Sequence, residues 1–204
     1  MKILFLHQNF PGQFLHLAPA LAARGHEVLA LTPQSNVRQS PLPTLRYKYE
    51  APKLDPVVFA EAKPFAEMSH RGKAVARAAA ELRDKRGYKP DLIFGHIGWG
   101  ETLFIKDVFP DARLLTYAEF CYRARGLDTG FDPEFTRDNL LADVHVTART
   151  AHLILAMSQA DKALAPTRWQ ASTFPDHLQS RISVIHDGVD CAALTPDANA
   201  SVTL

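Results

Sequence analysis

The chain has 204 residues, 47% of them hydrophobic, with 23 Lys and Arg against 22 Asp and Glu. That composition excludes whole-chain disorder and supports a buried core in one large domain or two small ones. The formal net charge of +1 gives no global attraction for nucleic acid, and the distant cysteines Cys121 and Cys191 exclude a disulfide framework and follow no metal spacing.

A reduced, cytoplasmic setting is the plain expectation. No apolar run reaches the roughly 18 residues that cross a bilayer. The N-terminal run Met1 to Leu6 is too short for a signal peptide, with polar His7, Gln8 and Asn9 following at once.

In chain order, residues 2–7 form a continuous apolar run, the pattern of a parallel strand covered on both faces. Phe14, Leu17, Ala18, Leu21 and Ala22 recur at helical spacing, and Arg24-Gly25 closes that helix. Residues 26–31 read as a second strand, so the opening is a βαβ unit with parallel neighbouring strands. Pro33, Pro41, Pro43, Pro52, Pro56 and Pro64 then exclude a long helix or a central strand over 32–64, leaving a short strand at 45–49. Residues 65–87 predict an Ala-rich helix, 91–94 a strand, 98–108 a helix and 112–117 a strand. A helix over 133–150 is expected to open on Asp132-Pro133-Glu134, with Pro at its first position. Leu153 to Ala156 reads as a fifth strand, residues 159–179 as helical turns, and Ile182 to Ile185 as a sixth strand. The alternation gives an α/β fold with a doubly wound, mostly parallel Rossmann-like sheet in three layers.

Ligands of such sheets bind at the carboxyl ends of the strands. The informative segments are therefore 7–13, 32–36, 95–99, 117–125, 157–160 and 186–190. The first has only Gly12 of a G-x-G-x-x-G, and no acid stands near Thr32, which argues against a dinucleotide cofactor. Phosphate-loop, zincin, hydrolase-elbow and C-x-x-C motifs are missing too. What remains at the first strand end is a polar loop with one Gly at a helix N-terminus: an anion or hydroxyl site, or an ordinary turn. His96 is a hydrogen-bond donor, a proton carrier or a structural residue, and Trp99 is a stacking platform or core. Residues 117–135 gather acids, arginines and aromatics, a mix that suits sugars or a salt-bridged surface loop. Residues 70–89 carry many Lys and Arg against Glu81 and Asp84, a solvated helix face or an anionic-membrane contact.

Three stretches resemble a known family: Ile3 to Phe14; Tyr117 to Arg123 with Gly130 to Phe135; and Ser158-Gln159, Pro166 to Gln170, Phe174-Pro175 and Ile182 to Asp190. Together they are similar to the N-terminal half of glycosyltransferase family 4 enzymes of the GT-B fold, in a bacterial subgroup. The resemblance implies two Rossmann-like domains across a cleft, an acceptor side here and a nucleotide-sugar donor side elsewhere. It implies a retaining transfer that uses a nucleotide-diphosphate sugar as co-substrate, with no tightly bound cofactor and no metal. By that resemblance Asn9, Phe10, Pro11, Gly12 and Gln13 approach the donor phosphates and acceptor. His96 lines the cleft, and Glu119 stands nearest to where relatives often place a His on the donor sugar, so His96 and Glu119 are the catalytic candidates. Trp99, Tyr122, Arg123 and Arg125 are the acceptor-binding candidates, and Asp187 and Gly188 the hinge.

The expected division is an acceptor domain over 1–186 and, over 187–204, the start of a linker to a donor domain. The family's acidic E-x7-E pair is missing, so the chain is expected to be an acceptor-side piece that transfers little sugar alone. Its expected partners are that C-terminal donor domain, a sugar acceptor (glycan, lipid-linked or small) and an anionic inner membrane face met through residues 70–89, but no nucleic acid. The competing expectations are a non-catalytic carbohydrate- or nucleotide-binding module, and a subunit that needs a separate donor-domain partner.

Overall fold

The structure, a computed structural model, describes residues 1–55, 59–129, 131–132, 134–135, 139–197 and 200–201. Its strands are β1 (Lys2–Leu6), β2 (Glu27–Pro33), β3 (Thr44–Tyr47), β4 (Leu92–His96), β5 (Arg113–Tyr117), β6 (Lys162–Ala165) and β7 (Ile182–Val184). Its α-helices are α1 (Leu17–Ala23), α2 (Lys63–Arg86), α3 (Ile105–Val108), α4 (Leu140–Arg149), α5 (Ala151–Gln159), α6 (Arg168–Ser172) and α7 (Asp176–Gln179). The strands form one parallel sheet in the order β3-β2-β1-β4-β5-β6-β7. The order reverses between β1 and β4. At that switch point the connections leave in opposite directions and open a crevice above the strand ends. This is the α/β Rossmann-like fold expected of the sequence.

Alternation along β1 assigns the two faces. Leu4 and Leu6 pack with Leu31, Val75, Ala79 and Leu82 under α2. Ile3 and Phe5 pack on the other face with Phe14, Ala18, Val28 and Ala30. Phe14 is the hub there, with ring centroids 4.9 Å from Phe5 and 4.8 Å from Phe94. A third cluster joins Leu153, Ala156 and Met157 of α5 to Ile97, Leu103 and Phe174. No described helix is long and apolar enough to cross a membrane.

The first half of the chain follows its sequence pattern closely. Proline confines β3 to the sheet edge, and α2 ends on Gly87 in a left-handed conformation. The later elements need correction. Leu153 to Ala156 is helical, because the apolar run belongs to α5, whose buried His152, Leu153, Ala156 and Met157 keep helical spacing. The fifth central strand is instead Lys162–Ala165, inside the stretch assigned to helical turns. The helix expected over 98–108 is a 3-10 turn, Ile97–Trp99, and the four-residue α3. Gly100 breaks it at φ +87°, where a Cβ would meet the Met68 carbonyl oxygen at 2.3 Å.

The helix expected from 133 begins at Leu140. Asn139 caps it by accepting from the Leu141 and Ala142 amides. Asp132 accepts instead from the Glu134 amide at 2.9 Å in a local turn, and Pro133, like Gly130 and Pro56, lies outside the described residues. Residues 157–160 are consequently a helix end; the true end of β6 is Pro166-Thr167, where Thr167 caps α6 by accepting from Gln170 at 3.1 Å.

Candidate active site

Strand register builds the site. Leu6 pairs with Gly95 and His96 with Tyr117, so the residue after β1, His7, extends a row of His7, His96 and Tyr117 across the switch point. The rings touch. His7 meets His96 edge-on at 5.6 Å, and His96 stacks between Tyr117 at 5.5 Å and Trp99 at 6.1 Å.

Each strand-end histidine orders the turn that follows it. His7 Nδ1 accepts the Asn9 amide at 2.9 Å, and His96 Nδ1 accepts the Gly98 amide at 2.9 Å. His186, after β7, does the same for Gly188 at 3.0 Å. An Nδ1 that accepts leaves Nε2 as the donor. In His96, Nε2 donates to Glu119 Oε2 at 3.0 Å. That bond, more than any other influence, holds the Glu119 carboxyl below the usual carboxylate range, against the opposing effect of burial. Glu119 is therefore an oriented carboxylate at neutral pH.

His7 is of another kind. It is 3% exposed, and burial first, then neighbouring His96, lowers its pKa to about 4. Among the described residues its Nε2 is buried without a hydrogen-bond partner, as is Gln13 Oε1, and the Gln13 side chain lies close to both His7 and Glu119. The loop between them depends on Gly12. Its φ is +48°, and a Cβ there would stand 2.4 Å from His7 Cε1. Gly12 opens a 3-10 turn, and α1 begins only at Leu17. The helix end expected at Gly12 is thus a single turn, and its dipole is correspondingly small.

His96, Trp99 and Glu119 line a cavity of about 300 Å³ with Phe120 and Tyr122. The same cavity is lined by residues that the sequence does not mark: Glu67 from α2, His145 and Arg149 from α4, and His152 from α5. His145 and Arg149 of α4 and His152 of α5 follow one another at i, i+4, i+7 spacing, a pattern that the strand expected at Leu153 to Ala156 cuts short. The Arg149 guanidinium lies 4.7 Å from the Tyr122 ring centroid, and His152 Nε2 is 3.2 Å from the Gly98 carbonyl oxygen.

Arg123 and Arg125 lie elsewhere. Arg123 donates to the Ser172, Thr173 and Phe174 carbonyls, tying its loop to the end of α6. Arg125 grips Asp143 in α4 at 2.8 and 2.9 Å. Asp187 is anchored as well, accepting from Tyr117 Oη at 2.8 and 2.9 Å; burial and this carboxylate push the phenol well above its ordinary range. Gly188 follows at φ +80°. Beside the first loop, fully buried Glu101 accepts from Tyr47 Oη at 3.2 Å, and Arg71 donates to Gln8 Oε1 at 2.9 Å. Burial pushes the Glu101 carboxyl up. Among the described residues no group of three or more His, Cys, Asp or Glu is placed to hold a metal ion.

A family model described as glycosyl transferase family 4 group matches residues 24–194. No curated protein sequence matches the chain. Among solved structures, sucrose-phosphate synthase from Thermosynechococcus elongatus is similar with a TM-score of 0.60 at 16% identity, over 98% of this chain and 51% of that one. The calicheamicin glycosyltransferase CalG4 is similar at 0.56 and 18%, over 97% and 55%. The catalytic domain of starch synthase IV from Arabidopsis thaliana, bound to ADP and acarbose, is similar at 0.52 and 16%, over 94% and 52%. At these identities the likeness is one of fold, and the chain spans about half the length of each structure.

Proposed function

Because the chain belongs to glycosyl transferase family 4, we propose that it is the acceptor-side half of a retaining glycosyltransferase that uses a nucleotide-diphosphate sugar. Residues 1–186 form the acceptor domain, and residues 187–204 lead toward a donor-binding domain, with Asp187 and Gly188 at the hinge. The observation that carries this reading is the His96–Glu119 pair, 3.0 Å apart, in an aromatic-walled cavity at the switch point.

As the bond to a nucleoside diphosphate lengthens, the anomeric carbon gains positive charge. The Glu119 carboxylate, fixed by His96, balances that charge and accepts from the incoming acceptor hydroxyl. His96 keeps the carboxylate ionised and aimed. Trp99 and Tyr122 offer apolar faces to the acceptor ring. The segment Asn9 to Gln13 approaches the donor phosphates, with Gln13 bridging toward Glu119. Donors from both domains stabilise the leaving phosphate, so the acceptor half alone turns over little donor.

The test is nucleotide-sugar hydrolysis and transfer across a donor panel, by residues 1–204 and by the full-length protein. Turnover confined to the full-length protein is expected, and the panel then identifies the donor. A full-length protein that binds sugars or nucleotides yet turns over none of the panel overturns transfer in favour of a binding module. Turnover gained only on adding a separate donor-domain subunit overturns the single-chain reading.

A further inference from the structure

A second cavity, of about 730 Å³, runs between the edge strand β3 and helix α2. Its floor is apolar, formed by Leu31, Leu45, Ala74, Ala78 and Leu82. Its walls carry six Lys and Arg against two carboxylates, an excess of four in a chain whose formal net charge is +1. Glu50 and Glu81 are already paired, with Lys48 at 3.4 Å and Lys85 at 3.2 Å. Arg46 is committed to the Asn36 and Arg38 carbonyls. Lys73, Arg77 and Arg86 remain, exposed and with no ion pair among the described residues.

Shape sharpens the assignment. From His70 to Arg86 the α2 wall is roughly 24 Å long at the helical rise per residue. The upper end of the groove, at His70 and Tyr49, adjoins Arg71, which stacks 4.4 Å from the Tyr49 ring and reaches Gln8 of the first loop. The groove therefore leads to the rim of the candidate active site. A planar lipid surface would touch only its edges, leaving the recessed apolar floor empty. A threaded chain with apolar ring faces and repeated anions would meet both floor and walls.

We propose that this groove holds the non-reacting length of an acidic glycan acceptor, a chain bearing repeated carboxylate or phosphate groups. The assignment rests on the acceptor reading above and names its substrate class. It also gives residues 70–89 a role other than contact with an anionic membrane.

The experiment uses the full-length protein and measures binding of an oligogalacturonate against a maltooligosaccharide of equal length. Three proteins are compared: wild type, Lys73→Glu/Arg77→Glu and the milder Lys73→Gln/Arg77→Gln. The acidic oligomer is expected to bind at least about tenfold tighter than the neutral one, to lose affinity as salt rises, and to weaken about tenfold in the variants. Equal binding of the two oligomers, or variants that bind like wild type, overturns the proposal. So does phosphatidylglycerol-vesicle binding that the variants lose while oligogalacturonate fails to bind, because the face then meets a membrane. Donor hydrolysis by the same wild-type preparation scores the transferase reading separately. Hydrolysis without polyanion binding overturns the groove alone, and polyanion binding without donor turnover overturns its acceptor role.

Discussion

The two concave regions of this domain use charge in opposite ways. At the switch point the chemistry-bearing groups are buried or half-buried, and each is held: His96 by Gly98 and Glu119, Tyr117 by Asp187, Glu119 by His96. Along α2 the cations stand exposed, and Lys73, Arg77 and Arg86 make no ion pair among the described residues. A site that must orient a reacting bond invests in fixed hydrogen bonds within a low dielectric. A site that must attract a long anion needs only a field and a channel. Substitutions should therefore have large, geometry-sensitive effects in the first region and small, salt-sensitive effects in the second.

The largest expected effect is Glu119→Gln in the full-length protein. It keeps the shape and removes the charge, and kcat for transfer should fall on the order of a hundredfold, with donor KM nearly unchanged. Steady-state kinetics read this directly. A change confined to KM would place Glu119 in uniform binding and weaken the contrast between the two regions.

Next comes Gly12→Ala. Left-handed φ and the His7 ring together should cost about 3 kcal/mol of stability in chemical denaturation. Gly25→Ala shares a positive φ of +82° but meets nothing within 4 Å among the described residues, and it should cost about 1 kcal/mol. Equal losses would mean that backbone strain alone matters at Gly12.

Acid should act through the buried histidine. The folded pKa of His7 is lowered to about 4 from 6.5, so the unfolded chain binds the extra proton between those values. Its stabilising contribution is present above pH 6.5 and is lost as pH falls toward 4, by up to about 3 kcal/mol. The same sign holds for His152, lowered mainly by burial. Denaturation from pH 7 to 4 checks this. His7→Gln, which no longer titrates, should flatten the slope.

Tyr117→Phe should be smaller, about 1–2 kcal/mol, since it leaves the ring stacked and removes the bond to Asp187. It should also loosen the 186–190 segment, seen as faster amide exchange there. Lys73→Gln/Arg77→Gln should shift stability least, within about 0.5 kcal/mol, because exposed cations contribute little to folding.

The sequence was most legible where two signals agreed. Residues 2–31 combined a strand run, a helical stripe, a Gly cap and a second strand, and β1, α1 and β2 follow them closely. The α2 helix was plain from its Ala-rich centre. Beyond Tyr117 the signals conflicted. Leu153 to Ala156 is too short a run to separate strand from buried helix, and only its continuation through Met157 on the same face decides it. β6, Lys-Ala-Leu-Ala, carries helix-forming residues and becomes a strand only through pairing with β5 and β7.

The site was legible in part. His96, Trp99, Glu119 and Tyr122 were singled out individually, and the cavity gathers them. The pairing of His96 with Glu119 is a matter of strand register, which single-sequence patterns do not reveal. Arg123 and Arg125 are acceptor-contact expectations of the family resemblance; within the domain they also bond backbone carbonyls and Asp143, contacts that depend on where α4 and α6 begin and end. His145 and Arg149 lie inside the helix expected over 133–150, but nothing in its own pattern tells which of its faces meets the cavity, and His152 abuts an apolar run that reads as a strand.

Transfer chemistry at the switch point requires His96 and Glu119 to act as one unit. The direct measurement is a double-mutant cycle on kcat in the full-length protein, with His96→Asn, Glu119→Gln and both together. His96→Asn offers an acceptor to the Gly98 amide while removing the donor to Glu119. Strong non-additivity is expected, with the double variant losing little more than Glu119→Gln alone. Independent losses that multiply in the double variant would contradict it.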